Sequence, residues 1–198
     1  MGWHNSREGY GALTKVFHWL IVVMFAFQIA AGFIMTRLGQ QDTAFGIGPN
    51  AYYNWHKSIG LLALFVAVAR LWARRAGELP PWAPTLSTGE RAFIHRAEQT
   101  LYTAMFVMPI SGFVYVMAGG FGVALFGVYD LPNPIGRSDF LAATGKWIHI
   151  VAGYVLIAAL IGHIGLVLRH QFILKDGLLR RMLPRALLSG GLSRGQDR

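Results

Sequence analysis

Four histidines lie inside or at the ends of strongly apolar segments of this chain: His18, His56, His149 and His163. Ionisable groups are costly inside a membrane and are usually functional there. His149 and His163 are 14 residues apart on one segment. That is almost four helical turns, so both side chains share one helix face and lie roughly 21 Å apart along its axis. The pattern is typical of a membrane protein that holds two haems, one near each membrane surface.

Composition supports a membrane protein and restricts its chemistry. Of the 198 residues, 54% are hydrophobic and only 14% are charged, unlike an ordinary soluble domain. Cysteine is absent, which excludes disulfides, cysteine-ligated iron–sulfur clusters and covalent c-type haem, so any haem must be non-covalent. The net charge of +9 arises from basic residues that flank apolar segments. We therefore expect membrane lipid, and no nucleic acid, as a partner.

Charge-free stretches place the membrane spans. Residues 16–36, 99–129 and 147–168 are each long enough to cross a hydrocarbon core of about 30 Å, which needs about 20 residues. The second span is charge-free only over residues 58–69, so we extend it on the assumption that Lys57 and Arg70 snorkel from its ends. We predict an all-α integral membrane four-helix bundle, with helices at about 13–37, 51–73, 97–119 and 146–170. The bundle forms one domain over residues 1–185, and a flexible basic tail follows at 186–198.

The basic residues also predict the orientation of the bundle. Fourteen of the 18 Lys and Arg residues lie in the N-terminus, in the middle connection or after the fourth helix. The other side has only Arg37, Lys57, Arg137 and Lys146. The positive-inside rule then places both termini in the cytoplasm.

Depth in the membrane pairs the four histidines. His18 and His163 both lie at the inner surface, whereas His56 and His149 both lie at the outer surface. A single intramembrane histidine is equally well explained by an interhelical hydrogen bond. Four histidines at two matched depths favour two axial pairs, each of which ligates one haem iron.

Neighbouring residues fit this interpretation but have alternatives. Gly32, Gly60 and Gly153 lie on the ligand faces, where a flat porphyrin needs room, although close helix packing in membranes also recruits glycine. Arg70 follows His56 by 14 residues and should face the inner site, where it pairs with a haem propionate or snorkels to lipid phosphate.

Several of these residues together resemble a known family. They are His18-Trp19, His56-x-x-x-Gly60, Arg70-Leu71, Pro109-x-x-Gly112, His149, His163 and the Lys175-Asp176-Gly-Leu-Leu-Arg-Arg-Met182 ending. Over about residues 10–185 the chain is similar to the prokaryotic cytochrome b561 family. The resemblance implies two non-covalent, bis-histidine haem b groups in a multi-pass protein of the bacterial inner membrane. It favours the stand-alone branch, which includes enzymes that oxidise superoxide at the periplasmic face and reduce ubiquinone in the membrane.

The resemblance leaves two functions open. In the first, the protein is a superoxide:ubiquinone oxidoreductase. Lys57 and Lys146 would attract the anion, unless they pair with propionates or snorkel, and His170 would hydrogen-bond a quinone carbonyl, unless it is simply interfacial. In the second, the protein is an electron carrier that docks a periplasmic dehydrogenase or another redox protein. A transporter or structural bundle without a cofactor is a third, unrelated interpretation.

Overall fold

The computed structural model describes residues 2–183. This part of the chain folds into four long helices: α1 (Ala12–Met35), α2 (Pro49–Arg75), α3 (Thr88–Ala118) and α4 (Asp139–Leu168). A two-stranded antiparallel sheet of β1 (Ala124–Leu125) and β2 (Tyr129–Asp130) lies between α3 and α4. A π-helical turn (Arg169–Leu174) and a 3-10 turn (Leu178–Arg181) follow α4. The basic tail predicted at 186–198 lies outside the described residues.

The helices are arranged as a membrane bundle, as the sequence predicts. All four are long and apolar enough to cross a membrane. α1 packs on α2, α2 on α3, and α3 on α4. Large apolar side chains such as Val23, Phe65 and Ile161 are exposed on the outside of the bundle, where a bilayer is the solvent that they require.

The two ends of the bundle differ in what they carry. We call the end with the α1–α2 and α3–α4 connections the loop end. The opposite end, with the N-terminus, the α2–α3 connection and the segment after α4, is the terminus end. His56 and His149 lie towards the loop end, and His18 and His163 lie towards the terminus end.

Two helices begin earlier than the sequence predicts. α3 begins at Thr88 instead of residue 97, because Ser87 and Glu90 form a capping box: the Ser87 hydroxyl accepts from the Glu90 N–H, and the Glu90 carboxylate accepts from the Ser87 N–H. α4 begins at Asp139 instead of residue 146, because the Ser138 hydroxyl accepts from the Leu141 N–H and caps the helix there. The hydrophobic pattern finds only the lipid-facing part of a helix, whereas polar caps set its true start.

α3 and α4 approach each other closely at Gly145. A Cβ atom on this buried glycine would lie 2.8 Å from the backbone nitrogen of Tyr115 and 3.0 Å from the carbonyl oxygen of Ser111. Both atoms belong to the α3 backbone and cannot rotate away. A residue without a side chain is therefore required at this contact.

Replacing Gly145 by Ala should force α3 and α4 apart and lower the free energy of unfolding by about 1–3 kcal/mol, the usual cost of overpacking. Unfolding of the purified protein in detergent micelles measures this change. Gly165→Ala is the matched control, because Gly165 lies on the same helix and is exposed, and a Cβ there would have no neighbouring side chain or other helix within 4 Å in the described part of the chain. Equal stability of the two variants would contradict the close contact.

Candidate functional site

The structure brings the four histidines together as two pairs. The ring centroids of His56 and His149 lie 6.1 Å apart, with an angle of 76° between the ring planes. Those of His18 and His163 lie 6.4 Å apart at 61°. Each pair joins α4 to one other helix, α2 at the loop end and α1 at the terminus end.

The spacing within each pair fits one iron between two axial imidazoles. A ring nitrogen lies about 2 Å from a metal ion that it ligates and about 1.1 Å from its own ring centre, so two axial imidazoles should have ring centres about 6.2 Å apart. Both observed distances are close to this value. Among the described residues, no group of three or more His, Cys, Asp or Glu side chains could hold a metal ion. The pairs therefore fit a haem better than a bare metal ion.

A cavity of about 320 Å³ surrounds the loop-end pair, within the usual size range of cofactor pockets, about 300–1,000 Å³. Its lining is mostly apolar and includes both histidines and four glycines: Gly32, Gly60, Gly112 and Gly153. Two of these glycines leave room for neighbouring side chains of the site. A Cβ on Gly112 would lie 3.0 Å from the His149 ring, and one on Gly60 would lie 2.9 Å from Nε2 of Gln28. The predicted glycine faces therefore line this cavity.

Hydrogen bonds orient the rings at the loop end. His149 Nδ1 lies 2.9 Å from the carbonyl oxygen of Met108, to which it can donate, and such a bond fixes which nitrogen remains for a metal. His56 Nδ1 and Gln28 Oε1 are buried and have no hydrogen-bond partner among the described residues. Buried polar atoms normally have partners. Unpaired atoms in this cavity are consistent with a site that a cofactor completes.

Arg70 lies against the terminus-end pair. One of its terminal nitrogens is 3.4 Å from His18 Nδ1, and its Nε donates to the Tyr102 hydroxyl at 3.2 Å. Its guanidinium carbon also lies 5.4 Å from the centroid of the Tyr102 ring. The other terminal nitrogen, Nη1, is buried and has no partner in the described part of the chain. Arg70 thus faces the His18 site instead of the lipid surface, which supports the predicted propionate contact.

His170 is placed differently from the sequence prediction. The side chain is fully buried, with Nδ1 2.6 Å from the Asp176 carboxylate and Nε2 3.2 Å from the Glu90 carboxylate. No ring nitrogen is free for a quinone carbonyl in this arrangement. The prediction assumed a regular helix, but a π-helical turn begins at Arg169, and its i→i+5 bonds change the direction of the side chains.

The chain then reverses and brings Asp176 back to His170. Lys175 and Gly177 both have left-handed backbone conformations, with φ of 53° and 76°. Burial raises the pKa of Asp176, but hydrogen bonds from His170, Thr85 and the Leu178 N–H outweigh it and lower this pKa to about 2. The Asp176 carboxylate is therefore charged at neutral pH and accepts a hydrogen bond from Nδ1 of His170.

The two cations predicted to attract an anion are not equivalent. Lys57 lines the loop-end cavity and its ammonium donates to the carbonyl of Gly122 at 2.9 Å. Lys146 is exposed and does not line that cavity. The structure therefore places only Lys57 at the cavity.

Some functional residues were not identified from the sequence. Gln28 bonds to the His56 carbonyl, the Met108 carbonyl orients His149, and Glu90 bonds to His170. A glutamine within a charge-free span was a signal for the first of these. The other partners depend on which helices become neighbours, and the sequence did not show that.

A membrane bundle with paired intramembrane histidines is the architecture of a b-type membrane cytochrome. The chain belongs to the prokaryotic cytochrome b561 family, whose model matches residues 9–185. The resemblance inferred from the sequence motifs is thereby confirmed, and with it haem b as the cofactor of the family and membrane electron transfer as its role.

Two relatives align over almost their full lengths. The chain is 30% identical to cytochrome b561 homolog 2 of Escherichia coli K12 over 190 residues, which cover 94% of this chain and 97% of that protein. It is 26% identical to the probable superoxide oxidase CybB of Yersinia pestis over 183 residues, which cover 90% of this chain and 98% of that protein. Because the family binds haem b, a transporter or structural bundle without a cofactor is no longer a reasonable interpretation.

The ring pairs predict two six-coordinate haems per chain with separate ligands. Replacing His56 or His149 by Ala should deplete the loop-end haem and leave much of the other. Replacing His18 or His163 should do the reverse, because each pair would hold a different iron. Pyridine haemochrome assays and low-temperature spectra measure both. His95→Ala is the control, since His95 is exposed and its Nε2 lies at hydrogen-bond distance from the Gln99 amide. Loss of the same spectral component from His18→Ala and His149→Ala would contradict the pairing.

Proposed function

We propose that the protein is a dihaem b cytochrome that transfers electrons from superoxide at the loop end to ubiquinone at the terminus end. The observation that carries this proposal is the pair of imidazole sites on α4. His149 and His163 are 14 residues apart on this helix, so the two sites lie roughly 21 Å apart across the membrane. Such an arrangement suits electron transfer between the two faces of a bilayer.

The ligand set favours electron transfer over oxygen chemistry. Two histidines per iron leave no open coordination position, so the bound haems would supply one-electron, outer-sphere transfer. In the proposed reaction two superoxide ions lose one electron each and become two O₂ molecules. One ubiquinone takes both electrons and two protons and becomes ubiquinol.

Charge supports the proposed orientation. Most of the Lys and Arg residues flank the terminus end, which the positive-inside rule places in the cytoplasm. The loop end then faces the periplasm of a bacterial inner membrane. The positive side chain of Lys57 at the cavity would attract a small anion, with Lys146 as a weaker, exposed contribution. A relative named as a probable superoxide oxidase supports this choice of donor.

The His170 cluster is the proposed proton source at the quinone end. His170 bonds to Glu90, whose side chain is 17% exposed and therefore connects the buried ring with the surface. A proton could pass from the ring through this carboxylate to a reduced quinone, and the ring could be reprotonated from the cytoplasm. Direct contact between His170 and a quinone carbonyl would require one carboxylate to leave.

If superoxide is the donor, Lys57→Gln should slow haem reduction by superoxide and make this rate depend less on ionic strength. The reason is that attraction between the anion and the Lys57 ammonium, which salt screens, sets part of the encounter rate. Lys146→Gln should have a smaller effect. Stopped-flow absorbance with the purified protein measures the rate, and Arg75→Gln, an exposed cation at the terminus end, is the control. Wild-type haems that superoxide cannot reduce would contradict the proposal.

If superoxide cannot reduce the wild-type haems, a second function is favoured. The protein would then be an electron carrier that docks a periplasmic redox protein. Exposed aromatic side chains at the loop end support this alternative: Phe45 is 91% exposed and Phe140 is 77% exposed. Such side chains are common in protein interfaces. A periplasmic donor protein would then reduce the haems at a rate that Lys57→Gln alters little.

The quinone end has its own test. His170→Ala should leave both haems and their reduction by superoxide intact but slow reoxidation by ubiquinone, by about 10²–10⁴, the effect typical of a lost proton-transfer group. Single-turnover reoxidation measures this step, and His95→Ala is again the matched control at the same end. An unchanged rate would make His170 a structural residue that fixes the segment after α4.

A further inference from the structure

The connection between α3 and α4 returns along the side of the bundle. The backbone N–H of Phe126 donates to the Ser58 hydroxyl at 2.7 Å. A Cβ on the next residue, Gly127, would lie 3.3 Å from the side-chain nitrogen of Asn54. The hairpin formed by residues 123–131 therefore packs with its tip on α2, between Asn54 and Ser58. These two residues flank His56 in the sequence.

This contact places the hairpin tip at the depth of the loop-end histidines. The two histidine levels lie roughly 21 Å apart within a hydrocarbon core of about 30 Å, so evenly placed sites lie about 4–5 Å inside each boundary. Lys146 and Trp147 precede His149 by three and two residues and are of the types enriched at membrane interfaces. They place the boundary just above His149. The level of His56 and Phe126 is therefore inside the hydrocarbon.

The backbone of this connection makes its own hydrogen bonds. The N–H groups of residues 119–122 donate to α3 carbonyls between Tyr115 and Met117. Those of Gly127 and Val128 donate within the turn, and that of Leu131 donates to the Val123 carbonyl. Irregular backbone at membrane depth requires such internal partners, because acyl chains supply none.

The side chains at the tip are apolar and point out of the protein. Phe126 is 54% exposed, and Val128 is 89% exposed. Phe126 also has a φ of +50°, and Gly127 one of +77°. A turn with two positive φ values normally prefers Asn or Asp followed by Gly, and a bulky residue in this conformation is uncommon. At this depth, acyl chains are the surroundings that suit such exposed apolar side chains.

We propose that the hairpin of residues 123–131 is a re-entrant membrane element that inserts into the acyl chains of the leaflet at the loop end. Phe126 and Val128 are its lipid contacts. On its inner side, the buried Val123 lines the loop-end cavity, so the hairpin separates this cavity from lipid. The hairpin packs on α2, a helix that itself carries exposed apolar side chains such as Leu62 and Phe65.

Single cysteines test the insertion directly, since the sequence has none. Phe126→Cys and Val128→Cys carry a nitroxide spin label in phosphatidylcholine vesicles, and power saturation compares collision with O₂, which partitions into lipid, and with a water-soluble nickel chelate. Phe65→Cys, 72% exposed near the middle of α2, is the lipid control. Gln41→Cys, exposed in the α1–α2 connection, is the aqueous control.

The ratio of O₂ to nickel accessibility at residues 126 and 128 should match residue 65 and exceed residue 41. A ratio at both hairpin positions that matches residue 41 would overturn the proposal, because it would show that these side chains face water. The haem spectrum of each labelled variant verifies its fold. Because Val128 is the more exposed of the two positions, its label gives the same comparison if Phe126→Cys does not fold.

Discussion

Helix α4 carries one member of each imidazole pair, and the fixed rise of an α-helix sets the distance between them. The other member of each pair comes from the start of a different helix, His18 on α1 and His56 on α2. Antiparallel neighbours begin at opposite ends of a bundle, so a histidine near the start of α1 and one near the start of α2 lie at different levels of α4. The choice of partner thus follows from the direction of the chain.

The bilayer explains the polar contacts around these sites. Water is absent from the hydrocarbon, so each buried polar group must find a partner in the protein or in a bound group. The Met108 carbonyl satisfies His149, and Ser58 satisfies the hairpin. Among the described residues, the unpaired buried atoms include His56 Nδ1 and Arg70 Nη1. Both lie beside the histidine pairs, where a haem and its propionates would provide the missing partners.

The segment after α4 closes the terminus end over the His18 site. The indole N–H of Trp19 donates to the Met182 carbonyl, and the Lys15 ammonium donates to the Leu183 carbonyl, each at 3.0 Å. His170 holds the reverse turn of this segment through Asp176 and links it to α3 through Glu90. In the proposed function, a quinone that approaches the His18 site would meet this segment.

The sequence by itself determined the membrane class, the four spans, the family and the depth of each histidine. These follow from hydrophobic length and from the rise per residue, which depend on one helix at a time. Helix starts were less well predicted, because the capping box of Ser87 lies in a polar flank that carries no hydrophobic signal.

Only the tertiary structure decided the surroundings of His170 and Arg70 and the path of the α3–α4 connection. A regular helix would have left His170 at the interface, but a π-helical turn and a reversal bury it between two carboxylates. The hairpin in the α3–α4 connection packs against α2 through Ser58. Both outcomes depend on hydrogen bonds between residues more than 60 positions apart in the chain. A local pattern in the sequence cannot encode such contacts, because they exist only once the helices have packed.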